Sequence, residues 1–350
     1  LEPIQAYVGV SLGDRFGAGS KSELTVGRFT QDIGSRRLVS RQLFRNNTNA
    51  YAGARLTYAN KAGDRAILFW SMPQVRLPGD RAGIRDNAVE LDRQTTDLQL
   101  YGGSFTKAHV GGGTLELYAY GLTERDSPGY QTRNRRLVTP GLRWAMAPSA
   151  GRFDHEVEVI YQHGRTRSSA SATDTTDLSV SAYAVHAEIG RTFAAPWKPR
   201  VALQYDRASG DRRNPRTYNR FDFLYGARRF EFGPTSLYGP INRSNLSSPG
   251  VRFEAVPTKR LDGYVMYRPF WLDQPGDAFS ATEIRDRAGR SGSFAAHQIE
   301  ARLRYWLKPK ALRLESGFAY LAKGRFLRDA PNVAYAGDTR YAYTDLTFTF

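Results

Sequence analysis

The residues of this sequence best suited to chemistry are its arginines. One group, Arg36, Arg37, Arg41 and Arg45, falls within residues 36–45. Another, Arg212, Arg213, Arg216, Arg220, Arg228, Arg229 and Arg243, falls within residues 212–243, interleaved with Tyr218, Phe221, Phe223, Tyr225, Phe230 and Phe232. A guanidinium fork donates paired hydrogen bonds to a carboxylate, while aromatic rings can stack on sugar faces. Such a mixture suits an anionic partner. Lys and Arg number 50 against 34 Asp and Glu, a formal charge of +16. That excess fits nucleic acid, lipid phosphate or an acidic substrate, and does not choose among them.

Catalysis has little to work with. The chain contains no Cys and five His: His109, His155, His163, His186 and His297. His155 and His163 share parity with apolar strand neighbours, as interfacial residues do. His186 lies near Glu188 on a lumen-facing parity, with no Ser marked as a nucleophile. No His/carboxylate grouping shows metal-ligand spacing. The expectation is a protein that works without enzyme chemistry, cofactor or metal.

What must position the arginines is a long series of β-strands. In YAYTDLTFTF, Leu346, Phe348 and Phe350 share one face, with Tyr343, Asp345, Thr347 and Thr349 on the other. The same alternation runs through HQIEARLRYWL, ALRLESGFAY, RVALQYD, HEVEVIYQ, TLELYAY and TDLQLY. Alternation of this kind marks strands with one wet and one apolar face. Fifteen such segments begin near residues 4, 23, 50, 65, 95, 114, 137, 153, 178, 199, 250, 261, 296, 311 and 341. Mean hydropathy is −0.52, and no stretch approaches the ~20 apolar residues of a membrane helix.

The connectors alternate in length. Short ones (NKAGDR, KAHVGGG, APSAG, PTKR, KPK) are interspersed with long ones at residues 31–49, 75–94, 123–136, 166–177, 208–248, 274–294 and 327–340. Short periplasmic turns and long outer loops produce that rhythm in transmembrane barrels. The expected fold is therefore all-β: a transmembrane antiparallel up-and-down β-barrel, with residues 1–350 forming one barrel domain in a bacterial outer membrane. A nucleic-acid partner is set aside, because a soluble binder would not expose so many alternating apolar faces. Bacterial single-chain barrels have even strand numbers. Counting back from Phe350 starts the first of fifteen strands outside, so an odd number of strands and a signal peptide are expected before Leu1.

Two stretches carry a family resemblance. The first is VGRFTQDIGSRRLVSRQLFRN followed by YAGARLTY. The second is LQYDRASGD, FDFLYGARRFEFG, SLYGPINRSNL and PFWLDQPGDAF. Matching positions include Gly27, Arg28, Gly34, Arg37, Leu38, Val39 and Arg41, then Tyr205, Asp206, Gly210, Asp211, Phe221, Asp222, Asn242, Phe270, Trp271 and Asp277. Together they resemble the alginate-export family of outer-membrane proteins. The resemblance implies an eighteen-stranded monomeric barrel, hence about three strands beyond the fifteen counted here. It also implies export of a polyuronate through an arginine-rich pore narrowed by inserted loops.

Charge on the lipid face costs about 2–4 kcal/mol at the midplane, so parity assigns charged strand residues to the lumen. These are Arg55, Arg143, Arg200, Arg252, Arg268, Arg302, Arg304 and Arg313, with Asp97, Glu116, Glu156, Glu158, Glu188, Asp206, Glu254, Glu300, Glu315 and Asp345. Candidate substrate contacts are Arg37, Arg41, Arg45, Arg55, Arg143, Arg252, Arg268, Arg302, Arg304, Arg228, Arg229, Asp206 and Asp211. For the wall arginines the plainer reading is cross-strand pairing with carboxylates that stiffens the barrel. If the loops fold inward, their arginines form an electropositive constriction; if outward, they grip lipopolysaccharide phosphates. Arg28 fits neither face well, since it shares parity with Leu24 and Val26. Expected partners are outer-membrane lipids and lipopolysaccharide, an anionic polysaccharide or small anion, and periplasmic export partners. The open alternatives are an anion-selective porin for small solutes and a structural or lipopolysaccharide-binding barrel with a blocked lumen.

Overall fold

The structure is a computed structural model that describes residues 3–42, 48–227, 229–235 and 237–349. The alternating segments form one antiparallel meander. Its strands are β1 (Ala6–Gly13), β2 (Lys21–Phe29), β3 (Tyr51–Ala59), β4 (Arg65–Pro73), β5 (Leu98–Val110), β6 (Gly113–Glu124), β7 (Arg136–Met146) and β8 (Phe153–Thr166). After these come β9 (Leu178–Thr192), β10 (Arg200–Ala208), the two-residue β11 (Thr217–Tyr218), β12 (Leu246–Thr258), β13 (Leu261–Trp271), β14 (Phe294–Lys308), β15 (Leu312–Lys323) and β16 (Thr339–Phe348). Among the described residues, three helices of at most five residues, α1 (Arg81–Arg85), α2 (Arg229–Phe232) and α3 (Arg325–Asp329), sit in connectors. The hydrogen-bonded path starts at β1 and ends at β16, each strand pairing with the next, while β11 lies off the path in parallel with β9. Setting β11 aside leaves the fifteen long strands that the alternation called for.

β10 shows how the pattern becomes a wall. All nine of its residues alternate, with Arg200, Ala202, Gln204, Asp206 and Ala208 buried and Val201, Leu203, Tyr205 and Arg207 exposed. The outward face is predominantly apolar, carrying Val8, Leu68, Phe105, Leu117, Val159, Leu203, Val265, Leu303 and Phe348 among its exposed large side chains.

The inward face has two tiers. Towards the short turns it carries Glu116, Arg143, Glu156, Glu188, Arg200, Arg252, Arg302, Arg304 and Arg313. Towards the long connectors it carries buried Leu100, Leu122, Leu137, Ile160, Ala184, Ala208, Leu246, Phe270 and Leu321. These apolar wall residues form one core cluster with connector residues Leu38, Val39, Phe221, Phe232, Ile241, Phe279 and Phe326. The long connectors therefore fold inward and pack on the wall, each large apolar side chain contributing about 1.5–3 kcal/mol by leaving water.

Two connectors make most of this plug. Residues 30–42 and 209–245 are joined by a parallel bridge between Val39 and Tyr225. Tyr225 N–H donates to the Leu38 carbonyl at 2.9 Å, and Ala227 N–H to the Arg36 carbonyl at 2.9 Å. Gly226 makes this approach possible, because a Cβ there would lie 1.8 Å from the Arg37 carbonyl oxygen.

The inner tier also corrects one expectation. Parity assigns Asp97 to the lumen, yet Leu98, Leu100 and Ser104 are the buried residues of β5, while Tyr101 and Phe105 face out. Asp97 precedes the strand on the outward parity and binds Arg125 at 2.8 Å. Arg28 is resolved by position. It is the penultimate residue of β2, at the long-connector rim, and its Nη1 donates to the Pro3 carbonyl at 2.8 Å.

Candidate functional site

Arg37 is carried by the first infolded connector to the centre of the inner face. Its Nη1 meets Glu156 and Glu158 of β8, and its Nη2 meets Glu231 of α2. Glu158 is held in turn by the Tyr118 hydroxyl at 2.5 Å and the Ser35 hydroxyl at 3.1 Å. Burial alone would lower the Arg37 pKa, but the Glu158 and Glu156 charges outweigh it and hold the guanidinium firmly protonated.

Glu231 also pairs with Arg243, whose Nη1 donates to the Ala227 carbonyl at 2.7 Å. Arg268 of β13 completes the cluster. It donates to the Glu231 main-chain carbonyl at 3.1 Å and to Asp206 at 2.8 Å, while His186 Nδ1 lies 2.8 Å from the other Asp206 oxygen. Arg243 and Arg268 each place a guanidinium carbon 5.2 Å from the centre of the Phe232 ring. Arg37, Arg243, Arg268, Glu231, Asp206 and Glu158 are all buried. Removing one partner from such a group leaves an uncompensated buried charge, at about 3–5 kcal/mol.

Spacing along the chain did not reveal a His/carboxylate grouping, but the fold makes one. Oxygen and nitrogen atoms of His186, Asp206 and Glu231 come within 4.8 Å of one another. The β9–β10 register sets His186 opposite Asp206, and the infolded connector brings Glu231. Arg37, Arg243 and Arg268 already engage those carboxylates, so the group is part of an ion-pair network whose guanidiniums repel a cation.

The short-turn tier is more open. Arg302 and Arg304 share one acid, Asp262, at 3.6 and 2.8 Å. Arg252 and Arg200 share Glu254 at 3.1 and 2.7 Å, and Arg200 reaches Asp154 and Glu188 as well. Arg252 and Arg302 both lie over the Tyr264 ring, at 4.1 and 4.8 Å. Arg252, Arg302 and Arg304 remain 18 %, 19 % and 31 % exposed. A cavity of about 480 Å³ opens in this tier, lined by Arg143, Asp154, Glu156 and Glu188.

The structure thus brings Arg37, Arg268 and Asp206 into the central cluster and keeps Arg143, Arg252, Arg302 and Arg304 on the wall below it. Arg143 is paired with Glu156 at 3.0 Å and Glu116 at 3.7 Å. Arg55 stands apart from both, 4.9 Å from the Phe29 ring and 3.5 Å from the Thr30 carbonyl. Arg41 is exposed. Asp211 organises its own connector, accepting from Asn219 N–H at 3.2 Å and offering its N–H to Asp277 at 2.9 Å. Arg45 and Arg228 lie outside the described residues, as does the side chain of Arg229. Sequence reasoning singled out neither Glu231 as a partner for Arg37 nor Tyr264 as a platform. RRFEF reads as one more charged and aromatic run, and only the fold tells which carboxylate meets which cation.

A second clasp ties the plug to the neighbouring connector. Arg135 bridges Glu124 and Asp222 at 2.8 and 2.7 Å. Burial would raise the Asp222 pKa, but Arg135 reverses this and holds it below the ordinary carboxylate value. Farther out, a cavity of about 710 Å³ among the long connectors is lined by Arg285, Arg287, Arg290 and Asn332.

A family model described as Alginate export matches residues 2–338. None of the curated proteins matches the sequence. Among solved structures, the chain is similar to OccK2 (OpdF) of Pseudomonas aeruginosa in complex with glucuronate, with a TM-score of 0.56 at 12 % identity, covering 95 % of this chain and 78 % of that one. It is similar to the outer membrane protein OpdK of the same organism, with a TM-score of 0.58 at 12 % identity over 95 % and 76 % of the two chains. It is also similar to OccAB3 of Acinetobacter baumannii, with a TM-score of 0.55 at 14 % identity over 93 % and 75 %. At such identities the likeness is one of fold, that of the outer-membrane barrel.

Proposed function

The chain belongs to the alginate-export family of outer-membrane β-barrel channels, and from that premise we propose that it passes an anionic polysaccharide of the polyuronate kind. The observation that carries this reading is the arrangement of arginines in two tiers. Arg252 and Arg302 flank Tyr264 with Arg304 beside them, each sharing its acid, Glu254 or Asp262, with another arginine, and Arg37, Arg243 and Arg268 converge in the central cluster above. A polymer entering from the short-turn side would meet partly exposed guanidiniums first. Each offers a site strong enough to enter and weak enough to leave, because an internal carboxylate competes for it. The glucuronate in the OccK2 complex has the same chemical class as the proposed substrate.

No step of this passage is chemical. Binding comes from guanidinium–carboxylate pairs, and the driving force from the substrate gradient or from periplasmic partners.

The test is conductance in planar bilayers, with ion selectivity read from the reversal potential in a salt gradient. The expected result is an anion-selective open channel whose single-channel amplitude, not its opening frequency, is reduced by acidic oligouronates, with that reduction relieved in Arg302→Gln/Arg304→Gln. A cation-selective current, or one indifferent to oligouronates and to those two arginines, would remove the proposal. The packed tier of Leu100, Leu122, Phe221 and Phe232 favours a second reading, a structural barrel with a filled lumen. On that reading no current appears even after residues 31–42 are replaced by a short Gly/Ser turn.

A further inference from the structure

Glu231 is the wrong residue to find at the waist of a channel for anions, unless it is there in place of one. Three guanidiniums from three separate parts of the chain converge on it. Arg37 comes from the first infolded connector, Arg243 from the end of the second, and Arg268 from the wall strand β13. The first two hold its carboxylate, and the third holds its main-chain carbonyl at 3.1 Å. All four residues are at most 4 % exposed. Beside them lies the Phe232 ring, with a guanidinium carbon of Arg243 and one of Arg268 each 5.2 Å from its centre. Cations clustered round one carboxylate, next to an aromatic face, is the arrangement a site for an acidic sugar requires.

We propose that Glu231 is an internal substitute for the substrate's carboxylate. It fills a three-arginine site formed by Arg37, Arg243 and Arg268, and an arriving uronate carboxylate displaces it, undocks α2 and opens the waist. This rests on the reading of the chain as a channel for a carboxylate polymer.

The charge balance supplies the selectivity. Arg37, Arg243 and Arg268 are matched in the buried cluster by Glu158, Asp206 and Glu231. Withdrawal of Glu231 alone leaves a buried cation uncompensated, which holds the plug shut in the absence of substrate. A carboxylate arriving from the short-turn tier restores the balance as Glu231 leaves, so the exchange carries little net cost. A neutral sugar of the same size supplies no charge and leaves the plug in place. The segment that must move is small: α2 is four residues long, and Glu231 sits at its third position.

The experiment compares the full chain with Glu231→Gln in planar bilayers, in the presence of tetramannuronate or of maltotetraose. The unaltered protein should be mostly closed and open several-fold more often with tetramannuronate, but not with maltotetraose. Glu231→Gln should be open at rest and respond no further. Glu231→Asp retains the charge and should stay closed, which separates loss of charge from loss of packing. The inference is overturned if Glu231→Gln is as closed as the unaltered protein, if both sugars open the channel equally, or if Glu231→Asp opens as fully as Glu231→Gln. Reversal potentials distinguish the two levels of failure. Anion selectivity with uronate passage but no effect at Glu231 removes only this inference. Cation selectivity, or no uronate interaction in any variant, removes the functional reading and this inference with it.

Discussion

On β8, Ile160 and Gln162 stand one tier above Glu156 and Glu158, and the two pairs keep different company. Ile160 is buried in the apolar cluster, and Gln162 binds the Asp222 carbonyl of the infolded connector at 3.0 Å. Glu156 is still 24 % exposed and is shared between Arg37 and Arg143. The same strand thus serves as a docking surface above and as a charged channel wall below. The comparison separates two jobs. On the proposed reading, the upper tier sets whether the passage is open and the lower tier what is drawn to it.

If that division is right, substitutions in the upper tier change conductance and those in the lower tier change selectivity. The largest effect is expected from Arg37→Ala, which leaves Glu156, Glu158 and Glu231 facing one another without their shared cation. Loss of about 3–5 kcal/mol should undock the connector, read as raised conductance and as rapid proteolysis within residues 31–42 while the barrel stays folded. Unchanged conductance would show that the connector is held by apolar packing alone. Next comes Gly226→Ala, whose new Cβ collides with the Arg37 carbonyl oxygen. Overpacking of this kind costs about 1–3 kcal/mol and should raise conductance less, with selectivity unaltered.

Arg302→Gln/Arg304→Gln tests the lower tier. Both side chains are partly exposed and share one acid, so stability should move by no more than about 1 kcal/mol. The ratio of anion to cation permeability should fall several-fold. A change in resting conductance instead would merge the two tiers into one.

The smallest effect is expected from pH. The Asp222 carboxyl is held low by Arg135, so its contribution to docking is complete above its unfolded value of about 3.9 and fades as pH falls through the folded value. Resting conductance should therefore rise on acidification below about pH 4, and Asp222→Asn should show part of that rise already at neutral pH. An identical acid response in Asp222→Asn would assign it to other groups.

The two tiers were unequally legible in the sequence. β10 and β16 could be read directly, because one face of each meets apolar surroundings and the other polar or small-residue packing. Connector lengths ordered the strands for the same reason that they alternate in the sheet. β5 could not be read this way. Leu98 and Leu100 look like a lipid face, but they pack against the plug, and it is Tyr101 and Phe105 that face out. Where both sides of a strand are apolar, alternation loses its sign. The central site was harder still. Arg37 stood out by type, yet its partners Glu158 and Glu231 lie far along the chain, joined to it only by the folding of two connectors into the barrel.

The hydrogen bond from Gln42 Nε2 to the Gly226 carbonyl spans 184 residues, and that between Arg37 and Glu158 spans 121. Strand pairing in the meander needs only neighbours, whereas these contacts require half the wall to be in place first. Loop-closure entropy has to be paid before such non-local contacts are gained, so the plug rests on the most distant contacts of the fold. The stopper is therefore tied to the wall by residues far apart in the chain, and a change in either connector or in β8 is enough to loosen it.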